Sequence, residues 1–233
     1  MRQLLPFPID DVDVAEAYAN DVRVPQADGR PWVLVNMVAS IDGATVVGGV
    51  SGPLGGPGDR EVFRAIRAVA DTIVVAAGTV RAEDYGPPSG GLRLAVVTGS
   101  ADLDPGARLF AAGFRPIVLT TGAAPASRVD ALREVAEVVA VGETSVTPAA
   151  ALDELRLRGA RVVLCEGGPS LNGQFVRDGL VDEWCQTIAP ALAGGPAKRP
   201  AVAEDAPPAP IDLQLDRLLV HQDGTMFARY VRA

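Results

Sequence analysis

Arg67-Ala68-Val69-Ala70-Asp71-Thr72-Ile73-Val74-Val75-Ala76-Ala77-Gly78-Thr79-Val80-Arg81 joins the end of one helix, a buried strand and the start of a second helix. Upstream, Asp59–Ala70 places Val62, Ala65, Ile66 and Val69 at the spacing of a single helix face, with Arg60, Arg64 and Arg67 on another. Thr72–Ala77 is a short, nearly unbroken apolar run, the pattern of a strand covered on both sides. Gly78-Thr79 then reads as a turn into a helix beginning near Val80. A helix–strand–helix unit with so apolar a strand predicts an α/β fold, its mainly parallel sheet covered by helices on both faces.

The same rhythm extends in both directions. Trp32–Val38 predicts a buried strand, and Ser40–Gly58 is turn-rich, with glycine at 43, 48, 49, 52, 55, 56 and 58. Residues 1–30 are mixed and polar, with a helical pattern around Val12–Ala19, and read as an N-terminal extension packed on a domain spanning 31–233. Downstream, strands are expected at Leu94–Thr98, Pro116–Thr120, Val138–Val141, Arg161–Glu166 and Glu183–Ile188. Helices are expected at Pro148–Arg158 and Pro169–Asp178. Thr147 caps the first, Pro148 opens it and Gly159 closes it. After a stiff connector at residues 206–210, Leu213–His221 and Thr225–Arg232 predict an antiparallel edge hairpin turning at Asp223-Gly224.

Composition narrows the class. The 233 residues suit one α/β domain, and 48% hydrophobic with only 5% aromatic means a core of Val, Leu, Ile and Ala. A net charge of -8 provides no basic footprint for nucleic acid or an anionic membrane. Two cysteines, Cys165 and Cys185, and one histidine, His221, lack metal-site spacing, so no metal is expected. Neither a signal-peptide core nor an apolar run near the roughly 20 residues of a membrane span is present, so a cytoplasmic location is expected.

Ligands of open α/β sheets bind beyond the carboxyl ends of the strands. Three glycine-containing loops fall there: Ser40-Ile41-Asp42-Gly43, Gly78-Thr79-Val80-Arg81 and Glu166-Gly167-Gly168-Pro169-Ser170. The last two open helices, whose first amides attract phosphate, and two such starts in one sheet suit a dinucleotide. Neither G-x-G-x-x-G nor a P-loop is present. Each loop alone also reads as an ordinary strand-to-helix turn, and Asp42 as a residue that shapes its own turn. Glu166, an acid closing an apolar strand, is costly unless it faces a cleft. Arg67 reads equally as a site residue or a solvated partner of Glu61. Thr98 and Ser100 are candidate donors to a 2′-phosphate. Cys165 reads as an inert core thiol and His221 as a packing residue.

The run Val35–Gly43 resembles the opening strand and S-[LI]-D-G loop of the riboflavin-pathway reductase domain. Arg67–Arg81 is similar to its helix–strand–GTVR unit, and Glu166–Leu171 to its EGG-x-x-L turn. Val181-Asp182-Glu183, Ile188-Ala189-Pro190 and Gly194-Gly195 follow in the family's order. The resemblance implies a dihydrofolate-reductase-like three-layer sandwich, a homodimer, and NADPH-dependent reduction of the ribosyl side chain of 5-amino-6-(5-phosphoribosylamino)uracil to ribityl. The family's deaminase motif is missing. Carried over, Val38, Thr79, Glu83 and Gly168–Gln174, including Pro169, Ser170 and Leu171, would contact NADPH. Ser40, Asp42, Gly78, Val80 and Gly167 belong to the same loops. Ser51, Arg67 and Glu166 would face the substrate. Pro53 stands where the family has an aromatic residue, and Gly90 where it has a phosphate-side arginine, with Arg93 as the substitute. Asp59 matches the place of the pterin-binding carboxylate of dihydrofolate reductase, so Asp59 and Glu166 are the catalytic candidates. A dihydrofolate or dihydropteridine reductase, and a dinucleotide-binding protein without catalysis, are the alternatives.

Overall fold

A computed structural model describes residues 1–205, 207 and 209–233; Ala206 and Pro208, within the expected stiff connector, lie outside the described residues. The chain begins with β1 (Arg2–Leu5) and α1 (Val14–Ala19), then β2 (Trp32–Ser40). The unit that suggested the fold forms α2 (Pro57–Ala68), β3 (Thr72–Ala76) and α3 (Ala77–Ala82). There follow β4 (Arg93–Val97), β5 (Ile117–Thr120), α4 (Ala126–Arg133) and β6 (Glu137–Ala140). The last part holds α5 (Pro148–Leu157), β7 (Val162–Cys165), α6 (Pro169–Arg177), β8 (Glu183–Ala189), β9 (Leu213–Val220) and β10 (Met226–Arg232).

The strands form one ten-stranded sheet in the order β1-β9-β10-β8-β2-β7-β3-β4-β5-β6. From β8 to β6 every pairing is parallel; β10, β9 and β1 add antiparallel neighbours. Alternation along β2 divides the core. Leu34 points into one layer with Ile66, Val80 and Leu132, whereas Val33 and Val35 point into the other with Leu152, Leu155 and Phe175. Helices thus cover both faces, giving the three layers of a dihydrofolate-reductase-like sandwich. Each fully buried Leu, Ile or Phe contributes roughly 1.5–3 kcal/mol, so these two layers hold the sheet with few aromatic side chains.

The local signals hold at α5, where the Thr147 hydroxyl accepts the Ala150 N–H at 3.2 Å and Gly159, at φ +82°, closes the helix. Gly224 makes the expected turn, its N–H donating to His221 at 3.0 Å. The structure differs in four places. Helix α3 starts at Ala77, so Gly78 lies in its first turn instead of preceding it. Helix α4 was not expected; it buries only Leu132, too little periodicity to read. The terminal hairpin is not the sheet edge, because β1 pairs outside β9. Residues 1–30 supply that strand and also α1, whose Val14 and Tyr18 enter the core.

An ionic cluster ties this N-terminal segment to the amino end of the sheet. Glu183, fully buried, accepts from Arg23 Nε at 2.8 Å, Arg229 Nε at 2.7 Å and Trp32 Nε1 at 3.1 Å. Asp21 pairs with Arg217 at 2.7 Å, and Asp182 with Arg30 at 2.7 Å. Burial alone would raise the Glu183 carboxyl, but the hydrogen bonds and charges of Arg23 and Arg229 outweigh it and hold it below the usual range.

Candidate active site

At the opposite end, the carboxyl ends of β2, β3 and β7 open into a cleft of about 1090 Å³. Its floor is Asn36, Met37 and Val38 of β2. One wall carries Ala76 from the end of β3 together with Gly78, Thr79 and Glu83. Beside it runs the turn into α6, with Glu166 and Gly168 to Leu171 lining the cleft. Ser51, Asp59 and Phe63 line the side toward α2, and Ala193–Lys198 the remaining rim.

The turn into α6 is stitched to β3: Glu166 N–H donates to Val74 at 3.0 Å, and Ala76 N–H to Gly167 at 2.7 Å. Gly167 sits at φ +83°, where a side chain would strain the backbone, and its peptide bond to Gly168 is cis. A Cβ on Gly168 would lie 2.8 Å from Thr79 Oγ1, whereas Gly78 faces open space. The two glycine turns therefore close into a single cradle that a methyl group at residue 168 would fill. Such a cradle at a helix start fits the phosphates of a nicotinamide dinucleotide. On the cleft floor, Asn36 Oδ1 is buried without a hydrogen-bond partner among the described residues, which leaves an acceptor open toward a ligand.

Beside the cradle, Arg67 grips Glu166 with two parallel bonds, Nε to Oε1 and Nη2 to Oε2, both 2.8 Å. The Tyr85 hydroxyl donates to Glu166 and accepts from Arg67 Nη2 at 2.5 Å. The guanidinium also lies 4.2 Å over the Phe63 ring. Burial, then the Glu166 charge, pushes the Tyr85 hydroxyl well above its ordinary value, so it remains a donor. Asp59 enters from the first turn of α2. Burial raises its carboxyl above the ordinary aspartate value against the lowering influence of a Thr187 hydrogen bond and Arg60. Glu83 accepts the Ser51 N–H at 2.8 Å and so anchors the glycine-rich loop to α3.

Of the residues expected at the site, Val38, Ser51, Asp59, Gly78, Thr79, Glu83, Glu166, Gly168, Pro169, Ser170 and Leu171 line the cleft. Arg67 stands one layer behind it, and Gly167 supports the turn from beneath. The rest of the expected 168–174 segment does not line it: Asn172 bonds to Cys165 and Pro200, Gly173 meets the chain at Val202, and Gln174 lies beyond them in α6. Other expected residues are also elsewhere. Val80 is a core residue. Ser40 donates to Asp42 at 2.5 Å, and Asp42 accepts the Ala193 and Gly194 amides, so the pair ties two loops together. Those bonds, Ser40 first, draw the Asp42 carboxyl down to about 2. Thr98 is buried, its hydroxyl accepting the Asp102 N–H at 3.3 Å. Arg93, the proposed substitute for the missing arginine, begins β4 at the far end of the sheet and donates to Arg158 O.

The bland readings of two residues also stand. Cys165 is fully buried, hydrogen-bonded to Asn172, and burial pushes its thiol up to about 12. The His221 ring packs on Gly58, where a Cβ would lie 2.9 Å from it. Sequence reasoning missed Asn36, Phe63, Tyr85 and Lys198. Asn36 had a readable signal, a lone carboxamide within an apolar strand. Tyr85 had none, because only the fold brings it to Arg67 and Glu166.

A cleft at the parallel edge, with a side-chain-free cradle on one wall and a carboxylate held by guanidinium and phenol on another, marks an oxidoreductase of the dihydrofolate-reductase-like class that uses a nicotinamide dinucleotide. The chain belongs to the RibD C-terminal domain family, whose model matches residues 31–227. It is 31% identical over 175 residues to the 2,5-diamino-6-ribosylamino-4(3H)-pyrimidinone 5′-phosphate reductase of Methanothermobacter thermautotrophicus, covering 71% of this chain and 81% of the relative. The protein of that name in Aquifex aeolicus is 32% identical, covering 71% and 80%. Among solved structures, a pyrimidine reductase-like protein of Corynebacterium diphtheriae superposes with TM-score 0.80 at 27% identity, over 95% of this chain and 99% of that one. Dihydrofolate reductase of Enterococcus faecalis shares the fold at TM-score 0.51 and 12% identity, over 86% and 96%. No described helix is long and apolar enough to cross a membrane.

Proposed function

We propose that this protein reduces the ribosyl side chain of a 5′-phosphorylated 6-ribosylaminopyrimidine of riboflavin biosynthesis, such as 5-amino-6-(5-phosphoribosylamino)uracil, to its ribityl form, with NADPH as reductant. The observation that carries the reading is the single cleft on which both the Gly78–Thr79/Gly168 cradle and the Arg67–Glu166–Tyr85 cluster border. When bound, the cofactor supplies a hydride to C1′ of the ribosyl group. The C1′–O4′ bond opens and O4′ takes a proton. Asp59, whose carboxyl group burial shifts above the ordinary aspartate value, lines the cleft and relays that proton from water to O4′. Glu166, fixed by Arg67 and Tyr85, accepts hydroxyl groups of the sugar. Ser51 and Phe63 orient the base, and Val38 with the α6 turn orients the nicotinamide.

The preference for NADPH over NADH is tied to the loop after β4, over which Arg81 of α3 and Arg128 of α4 both meet Asp102; these two guanidinium groups would exchange that carboxylate for a 2′-phosphate. A pterin substrate has Asp59 and the family departures at Pro53 and Gly90 in its favour, whereas the named relatives are pyrimidinone phosphate reductases. The reading carries with it a cytoplasmic enzyme working as a homodimer, which sedimentation of the purified protein tests directly. The deciding assay follows NADPH absorbance with the aminouracil, the diaminopyrimidinone or dihydrofolate as substrate. Turnover of a ribosylaminopyrimidine is expected; oxidation with dihydrofolate alone overturns the proposal.

A further inference from the structure

The ligands proposed for this cleft carry several phosphates, yet among the described residues the charged side chains that line it are three carboxylates, Asp59, Glu83 and Glu166, and one cation, Lys198. Arg67 offsets only Glu166, to which its guanidinium is committed behind the wall, and leaves Asp59 and Glu83 against Lys198. Lys198 is also the sole lysine of the chain. Its position is set from both sides. The Thr45 N–H and hydroxyl donate to the Lys198 carbonyl at 3.2 and 2.8 Å, and the ammonium reaches across to Ser170 Oγ at 3.4 Å. Ser170 stands in the first turn of α6, directly beyond the Gly168–Thr79 cradle.

We infer that Lys198 is the cation that grips the cofactor's diphosphate, reaching over it from the rim while the cradle holds it from beneath. The inference rests on the reductase reading above and adds the specific charge that makes an acidic cleft accept a polyanion. A substrate phosphate shares this chemistry. The diphosphate is favoured because the ammonium is directed to Ser170 in the first turn of α6, next to the cradle.

The test uses Lys198→Ala and Lys198→Arg with the whole chain. Fluorescence titration should show the dissociation constant for NADPH rising about tenfold in Lys198→Ala and largely restored in Lys198→Arg, the difference shrinking at high salt. Reduced nicotinamide riboside, which lacks the diphosphate, should bind the wild type and Lys198→Ala alike. An independent readout needs no variant: NADPH should shield Lys198 from an amine-acylating reagent, read by peptide mass spectrometry. Unchanged NADPH affinity with a raised substrate KM at saturating cofactor overturns the inference in favour of the substrate phosphate. Equal acylation with and without NADPH overturns it as well. If the wild type binds neither NADPH nor NADH, the reductase reading itself fails; if it binds them and Lys198→Ala does so equally well, only this inference fails.

Discussion

Arg67 and Glu166 form the pair on which the chemistry of the cleft turns. Their side chains are 21% and 6% exposed, so removing one partner leaves a charge largely cut off from water. Such losses cost about 3–5 kcal/mol, with the partly exposed arginine placing this pair near the lower end. Arg67→Ala is therefore expected to lower Tm by roughly 6–12 °C, at about 2–4 °C per kcal/mol for a chain of this size. Adding Glu166→Gln should recover part of that stability while leaving the enzyme inactive. A double-mutant cycle by thermal melting and turnover checks both statements, and strictly additive melting shifts would refute the coupling. Asp59 behaves in the opposite sense. Its ordinary value is exceeded in the folded state, so its ionisation opposes folding as pH rises through the raised value. Asp59→Asn should raise Tm at neutral pH and depress kcat, the trade expected of a residue kept for function. A Tm that falls would show that the carboxylate stabilises the fold instead.

Helix α6 connects the cofactor cradle to the rest of the molecule, and its glycines serve different ends. Gly168 leaves room for Thr79, so Gly168→Ala should weaken cofactor binding about tenfold or more with little effect on folding. Gly173 faces the chain at Val202, where a Cβ would lie 2.1 Å from a carbonyl oxygen, and the Val202 N–H donates to Pro169 at 2.9 Å. Backbone cannot give way as a side-chain tip can. Gly173→Ala should accordingly destabilise by about 1–3 kcal/mol, the usual cost of overpacking. Cofactor titration and chemical denaturation separate the two; equal effects on both measurements in both variants would remove the distinction.

At the scale of the whole molecule, the active cleft and the ionic cluster occupy opposite ends of one sheet. Glu183 is fully buried among Arg23, Arg229 and Trp32, and its carboxyl sits below the usual range. Its stabilising effect is present above the ordinary glutamate value and is lost as pH falls through the lowered one. Thermal stability should therefore hold near neutrality and decline below about pH 4.3, the ordinary glutamate value. Glu183→Gln should flatten that decline from a lower starting Tm. An unchanged acid limb in that variant would assign the decline to other carboxylates. The cluster also accounts for why residues 1–30 are built into the sheet: Asp21, Arg23 and Arg30 pair with residues of β8, β9 and the turn before β8.

Much of this was legible in the order of residues. The apolar runs at 32–38, 72–77 and 161–166, with helical spacing between them, required a covered parallel sheet, because no other arrangement buries strands so apolar. Glycine turns at the carboxyl ends located the site, since backbone approach there depends on residue type alone. Tertiary structure decided the rest. Which carboxylate Arg67 meets, that Tyr85 joins them, that Thr98 is spent on its own loop and that one lysine reaches Ser170 are contacts between residues far apart in the chain. Local periodicity carries no information about them, because they follow from how the strands are ordered across the sheet.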